Sequence, residues 1–214
     1  MKRLLISIIS FLFATINCCV FAQHTQETTS DFQIRYGDYS DETVNVIFLV
    51  DMDGSDYKKA EYGLATFFGS ELLPCSIQFH GQNELEQFYS DLKQIRNKYS
   101  EWLNVAKQNG VKDLVKDIPF CTEPVELTIY DGKMNELKTL KTSLKGLFRA
   151  EFGSLSLFPN QESIRINFRT VSGNDIPIFH VRNVNDLDKI LNAVNIEKIK
   201  AKLNKKIQKQ NLFN

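Results

Sequence analysis

Turn dipeptides at short intervals constrain this chain more than any other feature. Asp53-Gly54, Asp131-Gly132 and Gly173-Asn174 each tolerate the positive φ angles of a tight hairpin turn. Around them lie short runs of β-branched and aromatic residues: Thr43–Val50 (TVNVIFLV), Lys59–Phe68, Cys75–His80 (CSIQFH), Val125–Tyr130 (VELTIY), Leu147–Phe152, Ser163–Val171 and Ile176–Val181. Runs of this kind read as strands. Parallel neighbours would need crossovers of about a dozen residues or more, and hairpin links are too short to supply them. The predicted fold class is therefore α+β, made of mostly antiparallel β-meanders, each followed by a helix.

Two helices interrupt the strands. In the first, Leu85, Phe88, Tyr89, Leu92, Ile95, Tyr99, Trp102, Leu103 and Ala106 recur at spacings of three and four, which paints one apolar stripe on a helix. Asn83 is the expected cap, with Glu86 three residues on, and Asn109-Gly110 the expected stop. The second helix carries Leu187, Ile190, Leu191 and Val194 behind an expected cap at Asn185. Both follow a strand ending in Phe-His, at Phe79-His80 and Phe179-His180. This parallel suggests an internal duplication of a meander-plus-helix unit, with similar halves over about 31–118 and 119–214; chance likeness between two capped helices explains it equally well.

The first 22 residues read as a separate object. Lys2 and Arg3 open them, Leu4–Ala14 is an apolar run broken only by serines, and Val20-Phe21-Ala22 has the small or branched residues of a cleavage site. That is the layout of a secretory signal peptide over 1–22. The run is too short to span a bilayer, which takes about 20 residues, and no later segment is longer, so no transmembrane helix is expected in the mature chain. Residues 23–30 (QHTQETTS) are polar and without period, and are expected to form a flexible leader to an α+β domain over 31–214. The expected destination is outside the cytosol: periplasm, cell surface or medium. A lipoprotein anchored at Cys18 or Cys19 is the alternative, weakened by the bulky Asn17 before the cysteines.

Cleavage after Ala22 leaves two cysteines, Cys75 and Cys121. An even count in an exported chain suggests a disulfide between them, and closing a loop of 46 residues would contribute roughly 4 kcal/mol by chain entropy. Two buried free thiols are the alternative.

Composition excludes several classes. With 43% hydrophobic residues the chain can build a core, and its 10 Gly and 5 Pro are too few for collagen-like or low-complexity architecture. The 26 basic residues balance 26 acidic ones, so nothing draws the whole chain toward nucleic acid. The charges are unevenly placed, however. Glu197–Lys209 holds six lysines against one glutamate, leaving the rest of the exported chain acidic. Lys198, Lys202, Lys205, Lys206 and Lys209 are candidates for contact with an anionic surface; a solvated helix packing its apolar edge on the domain is the plainer reading.

Other constellations are thin. Asp51, Asp53 and Asp56 form an acidic turn and a weak metal candidate, but position six of an EF-hand count falls on Asp56 and position twelve on Tyr62, where glycine and glutamate belong. Cys75 and His80 lie five apart on one strand, on opposite faces, so they form no nucleophile–base pair. His80 and His180 occupy matching places in the two halves, yet two imidazoles make a poor metal site. No phosphate loop, nucleophile elbow or zinc-helix motif occurs. No catalytic residue and no cofactor are assigned. The expected function is that of an exported, non-enzymatic binding or interaction module, with an envelope component or a protein as partner. The alternatives are a hydrolase of envelope or extracellular polymers using acidic residues, and a peripheral membrane-surface protein using its lysine-rich helix.

Overall fold

The computed structural model describes residues 25–35, 43–52, 57, 59–68, 73–111, 113–131, 133, 135–151, 161–169, 175–181 and 183–212; the side chains of 25, 35, 67, 68, 73, 113, 120, 121, 142, 144–181, 207, 210 and 211 fall outside that description. Along the chain the elements are β1 (Thr25–Arg35), β2 (Thr43–Met52), β3 (Glu61–Phe68), β4 (Leu73–His80), α1 (Gln82–Gln108), β5 (Asp113–Cys121), β6 (Val125–Tyr130), β7 (Glu136–Glu151), β8 (Gln161–Arg169), β9 (Asp175–Val181), α2 (Val184–Ala193) and α3 (Ile196–Asn211). Every strand pairing among the described residues is antiparallel. The order across the sheet is β1-β2-β3-β4-β6-β7-β8-β9, and β5 pairs with β7. The architecture is α+β.

One long strand organises the second part. β7 pairs with β6 through residues up to Thr142, then from Ser143 onward with β8 on one side and β5 on the other. The first part joins it through β4 and β6, where Cys75 lies opposite Ile129. The expected boundary between 118 and 119 therefore falls inside β5, and the buried cluster draws on both sides of it.

The core follows from strand alternation. In β2, Val44, Val46, Phe48, Val50 and Met52 are buried while the residues between them are not. Tyr62 and Leu64 of β3, Cys75, Ile77 and Phe79 of β4, and Val125, Leu127 and Ile129 of β6 extend the same apolar face. The α1 stripe covers it: Leu85, Phe88, Leu92, Ile95, Tyr99, Leu103 and Ala106 are buried, and Phe88 meets Phe79 with ring centroids 4.8 Å apart. Burying a ring of that size contributes about 1.5–3 kcal/mol. Leu187 and Ile190 of α2 and Ile199 and Leu203 of α3 complete the cover.

Several local expectations need correction. Residues 25–30, read as a flexible leader, belong to β1, which pairs along β2 from Thr25 opposite Met52 to Arg35 opposite Thr43. The link between β2 and β3 covers 53–60, longer than a two-residue turn; Asp53 and Gly54 themselves lie outside the described residues. Strand β5 was not foreseen. The α1 cap is Gly81 rather than Asn83: its φ of 93° belongs to glycine, and its N–H donates to Ala60 O at 3.1 Å. The α2 cap is Asn183 rather than Asn185, its side chain accepting from the Asp186 N–H at 2.9 Å. Asn109 and Gly110 do end α1, with Gly110 at φ 60°.

Candidate functional site

Two polar assemblies sit at opposite ends of the sheet. The first follows from strand parity. Ile77 and Phe79 point into the core, so His80 emerges on the other face at the end of β4. Register sets Glu61 of β3 directly opposite it and Glu126 of β6 opposite Gln78. His80 Nδ1 lies 2.7 Å from Glu61 Oε2, and His80 Nε2 lies 3.7 Å from Glu126 Oε2. Glu84, in the first turn of α1, accepts the His80 backbone N–H at 2.8 Å. Partial burial pulls the imidazole's pKa down, but the Glu61 hydrogen bond and the charges of Glu61, Glu126 and Glu84 outweigh it, so the group sits above its ordinary value. Asp51, paired with Glu61 on its other side, extends this into a row of carboxylates with one imidazole.

The second assembly is a cleft of about 650 Å³ lined by Gln33, Thr43, Asn183, Asn185, Asp186 and Lys189. It opens where the start of α2 faces the end of β1 and the beginning of β2. Asp186 anchors it: only 4% exposed, it receives Asn183 Nδ2 at 3.1 Å and Lys189 Nζ at 2.7 Å. Lys189 also donates to the Gln33 carbonyl at 3.0 Å, tying helix to strand. The Gln33 amide donates to Asn45 Oδ1 at 2.9 Å and accepts from Thr43 Oγ1 at 3.4 Å. Hydrogen bonds thus link Asp186 to Asn183 and Lys189, and Gln33 to Asn45 and Thr43.

The lysines of α3 have structural work. Lys202 donates to Thr29 O at 2.7 Å and Ser30 Oγ at 3.2 Å, Lys206 pairs with Glu27, and Lys198 bonds Asn192. Lys205 and Lys209 are exposed. Three of the five lysines expected to face an anionic surface are thus committed to the protein itself, two of them on β1.

Cys75 and His80 are on opposite faces, as parity demands. Cys75 is a free thiol, fully buried, and burial pushes its pKa far up. The bridge expected with Cys121 is not shown: Cys75 stands as a free thiol, and the Cys121 side chain lies outside the described residues. Asp53, Asp56 and the His180 side chain also lie outside. Among the described residues no group of three or more His, Cys, Asp or Glu is placed to hold a metal ion; His80 turns its two ring nitrogens to two different carboxylates, which is no chelate. Among them, too, no helix is long and apolar enough to cross a membrane.

No protein-family model, no curated protein and no solved structure matches this chain. The site must be read from its own chemistry. Sequence reasoning missed Asp186, Lys189, Asn183, Gln33 and Thr43. The one local signal was Asn183 standing three residues before Asp186, a cap spacing that the Asn185–Asp188 pair duplicates.

Proposed function

We propose that this protein is an exported, non-enzymatic binding module of the cell envelope or extracellular space, taking a small polar ligand in the cleft between α2 and the β1–β2 edge. The observation that carries the reading is the lining: six side chains, every one able to hydrogen-bond, around about 650 Å³. Donors and acceptors are both present, and one carboxylate faces one ammonium, which favours a ligand without net charge, a polyol or a zwitterion. The mutual bonds of Asp186, Lys189 and Gln33 support it further, because a preorganised site spends less of its binding energy on ordering. The export half of the proposal rests on Lys2, Arg3 and the apolar run to Ala14.

Amide NMR titration with sugars, polyols and amino acids tests the cleft. Saturable shifts confined to Gln33, Thr43 and 183–189, weakened at least tenfold by Asn185→Ala, are expected. Shifts that never saturate, or that centre elsewhere on the surface, would overturn it. N-terminal sequencing of protein from producing cells is expected to begin at Gln23; material still starting at Met1 would remove the export claim.

A further inference from the structure

The carboxylate row around His80 lies at the other end of the sheet from the cleft and plays no part in the reading above. Glu61 from β3, Glu84 from α1 and Glu126 from β6 all approach this one residue of β4, and Asp51 of β2 stands behind Glu61. Like charges directly opposite on neighbouring strands disfavour a sheet, Asp51 and Glu61 are register partners, and a cation beside Glu61 offsets that charge. Lys141 of β7, opposite Glu126, is the basic group facing from the next strand.

We infer that His80 is a proton-operated clasp that links the side chains of Glu61 on β3 and Glu126 on β6 when protonated and releases the Glu126 side chain, with the β4–β6 ladder intact, when it loses its proton. Geometry dictates which contact is lost: Nδ1 to Glu61 is a hydrogen bond at 2.7 Å, whereas Nε2 to Glu126 at 3.7 Å is a charge contact only. In the imidazolium both nitrogens carry hydrogen, so Nδ1 donates to Glu61 while Nε2 faces Glu126 with a proton between them. Deprotonation gives the Nε2 hydrogen to water. The 2.7 Å bond to Glu61 keeps the remaining hydrogen on Nδ1, and a lone pair then confronts the Glu126 carboxylate. Glu126 turns to Lys141 instead. Glu84 keeps its bond to the His80 backbone in both states, so α1 stays seated and the change is confined to the β4–β6 side.

The direction in pH follows. The group's pKa is raised in the folded chain, so its stabilisation is complete at pH values below that of an unfolded histidine, about 6.5, and is lost as pH rises through the higher folded value. NMR titration of the imidazole carbons, with Glu126 side-chain carbons followed in parallel, is the test. The expected result is a His80 midpoint above about 6.5, a Glu126 shift with the same midpoint, and a lower midpoint in Glu126→Gln. A His80 midpoint at or below the ordinary value, or one that Glu126→Gln leaves in place, would overturn the clasp. Melting curves give the second readout: wild type is expected to exceed His80→Gln by more at pH 5.5 than at pH 8.5, and a gap independent of pH contradicts the proposal. Should His80→Gln not fold, the Glu126→Gln titration decides alone.

Discussion

Asp91 offers the sharpest check on how this fold is held. It sits on the buried side of α1, 3% exposed, in a stripe otherwise apolar. Its Oδ2 accepts the backbone N–H of Glu123 at 3.0 Å and its Oδ1 accepts Gln87 Nε2 at 2.8 Å. The first bond ties the β5–β6 connection to the helix. Replacing Asp91 with alanine leaves that N–H without its acceptor, which costs about 1–3 kcal/mol. Hydrogen bonds to a charged acceptor contribute about 1.5–3 kcal/mol, but removing the carboxylate also relieves the cost of keeping a charge out of water. The net expectation for Asp91→Ala is a loss of about 2–3 kcal/mol. For a chain of this size each kcal/mol lowers Tm by about 2–4 °C, so calorimetry should find a drop of roughly 4–12 °C. Asp91→Asn keeps an acceptor for Glu123 and should lose less than half as much. Hydrogen exchange at the Glu123 amide should accelerate in the alanine variant and stay slow in the asparagine one. If both variants melt alike, the charge and not the acceptor matters, and the argument fails; if Asp91→Ala melts like wild type, the tether contributes nothing.

The remaining expectations are more local. Asn183→Ala should cost about 1 kcal/mol as a lost cap, whereas Asn185→Ala should stay within about 0.5 kcal/mol, measured by urea unfolding. Lys202→Met should cost about 1 kcal/mol because it gives up the Thr29 carbonyl, while Lys205→Met and Lys209→Met leave stability unchanged; equal effects at all three positions would refute the assignment. Native protein should leave Cys75 unlabelled by a thiol reagent at pH 8, with labelling following unfolding; rapid native labelling would contradict its burial. The same thiol makes stability fall as pH climbs above the unfolded cysteine's value of about 8.5, because burial holds the folded group protonated while the unfolded chain ionises.

What was legible in the sequence was what is local and apolar. The α1 stripe and the alternation in β2 and β6 each name their buried face within a few residues. β1 escaped because TQETTSDFQIR has little to bury: among its described side chains Ile34 and Thr29 are buried and Phe32 is partly so, and β2 and the distant lysines supply the rest. The α2 cap was ambiguous for a clear reason. Asn183 and Asn185 each precede an aspartate by three residues, and tertiary contacts choose between them: Asp186 is buried against Lys189, while Asp188 takes Arg96 of α1 in a two-pronged bond at 2.9 and 3.0 Å. The turn at Asp131 was foreseen, though it closes through 131–135, the carboxylate accepting the N–H groups of Lys133 and Asn135 at 2.7 and 2.8 Å. The cleft and the His80 row were illegible because each gathers residues that only strand register brings together.

Among the described residues β1 has a ladder partner on one side only, β2, and Lys189 and Lys202 take the carbonyls of Gln33 and Thr29. Two ammonium groups thus stand in for a missing neighbour strand, a way of blunting an edge that would otherwise recruit other chains. Lys202 follows Thr29 by 173 residues. A growing polypeptide must therefore carry that raw margin bare until α3 has been synthesised, and chains cut short before it should aggregate through their N-terminal strand.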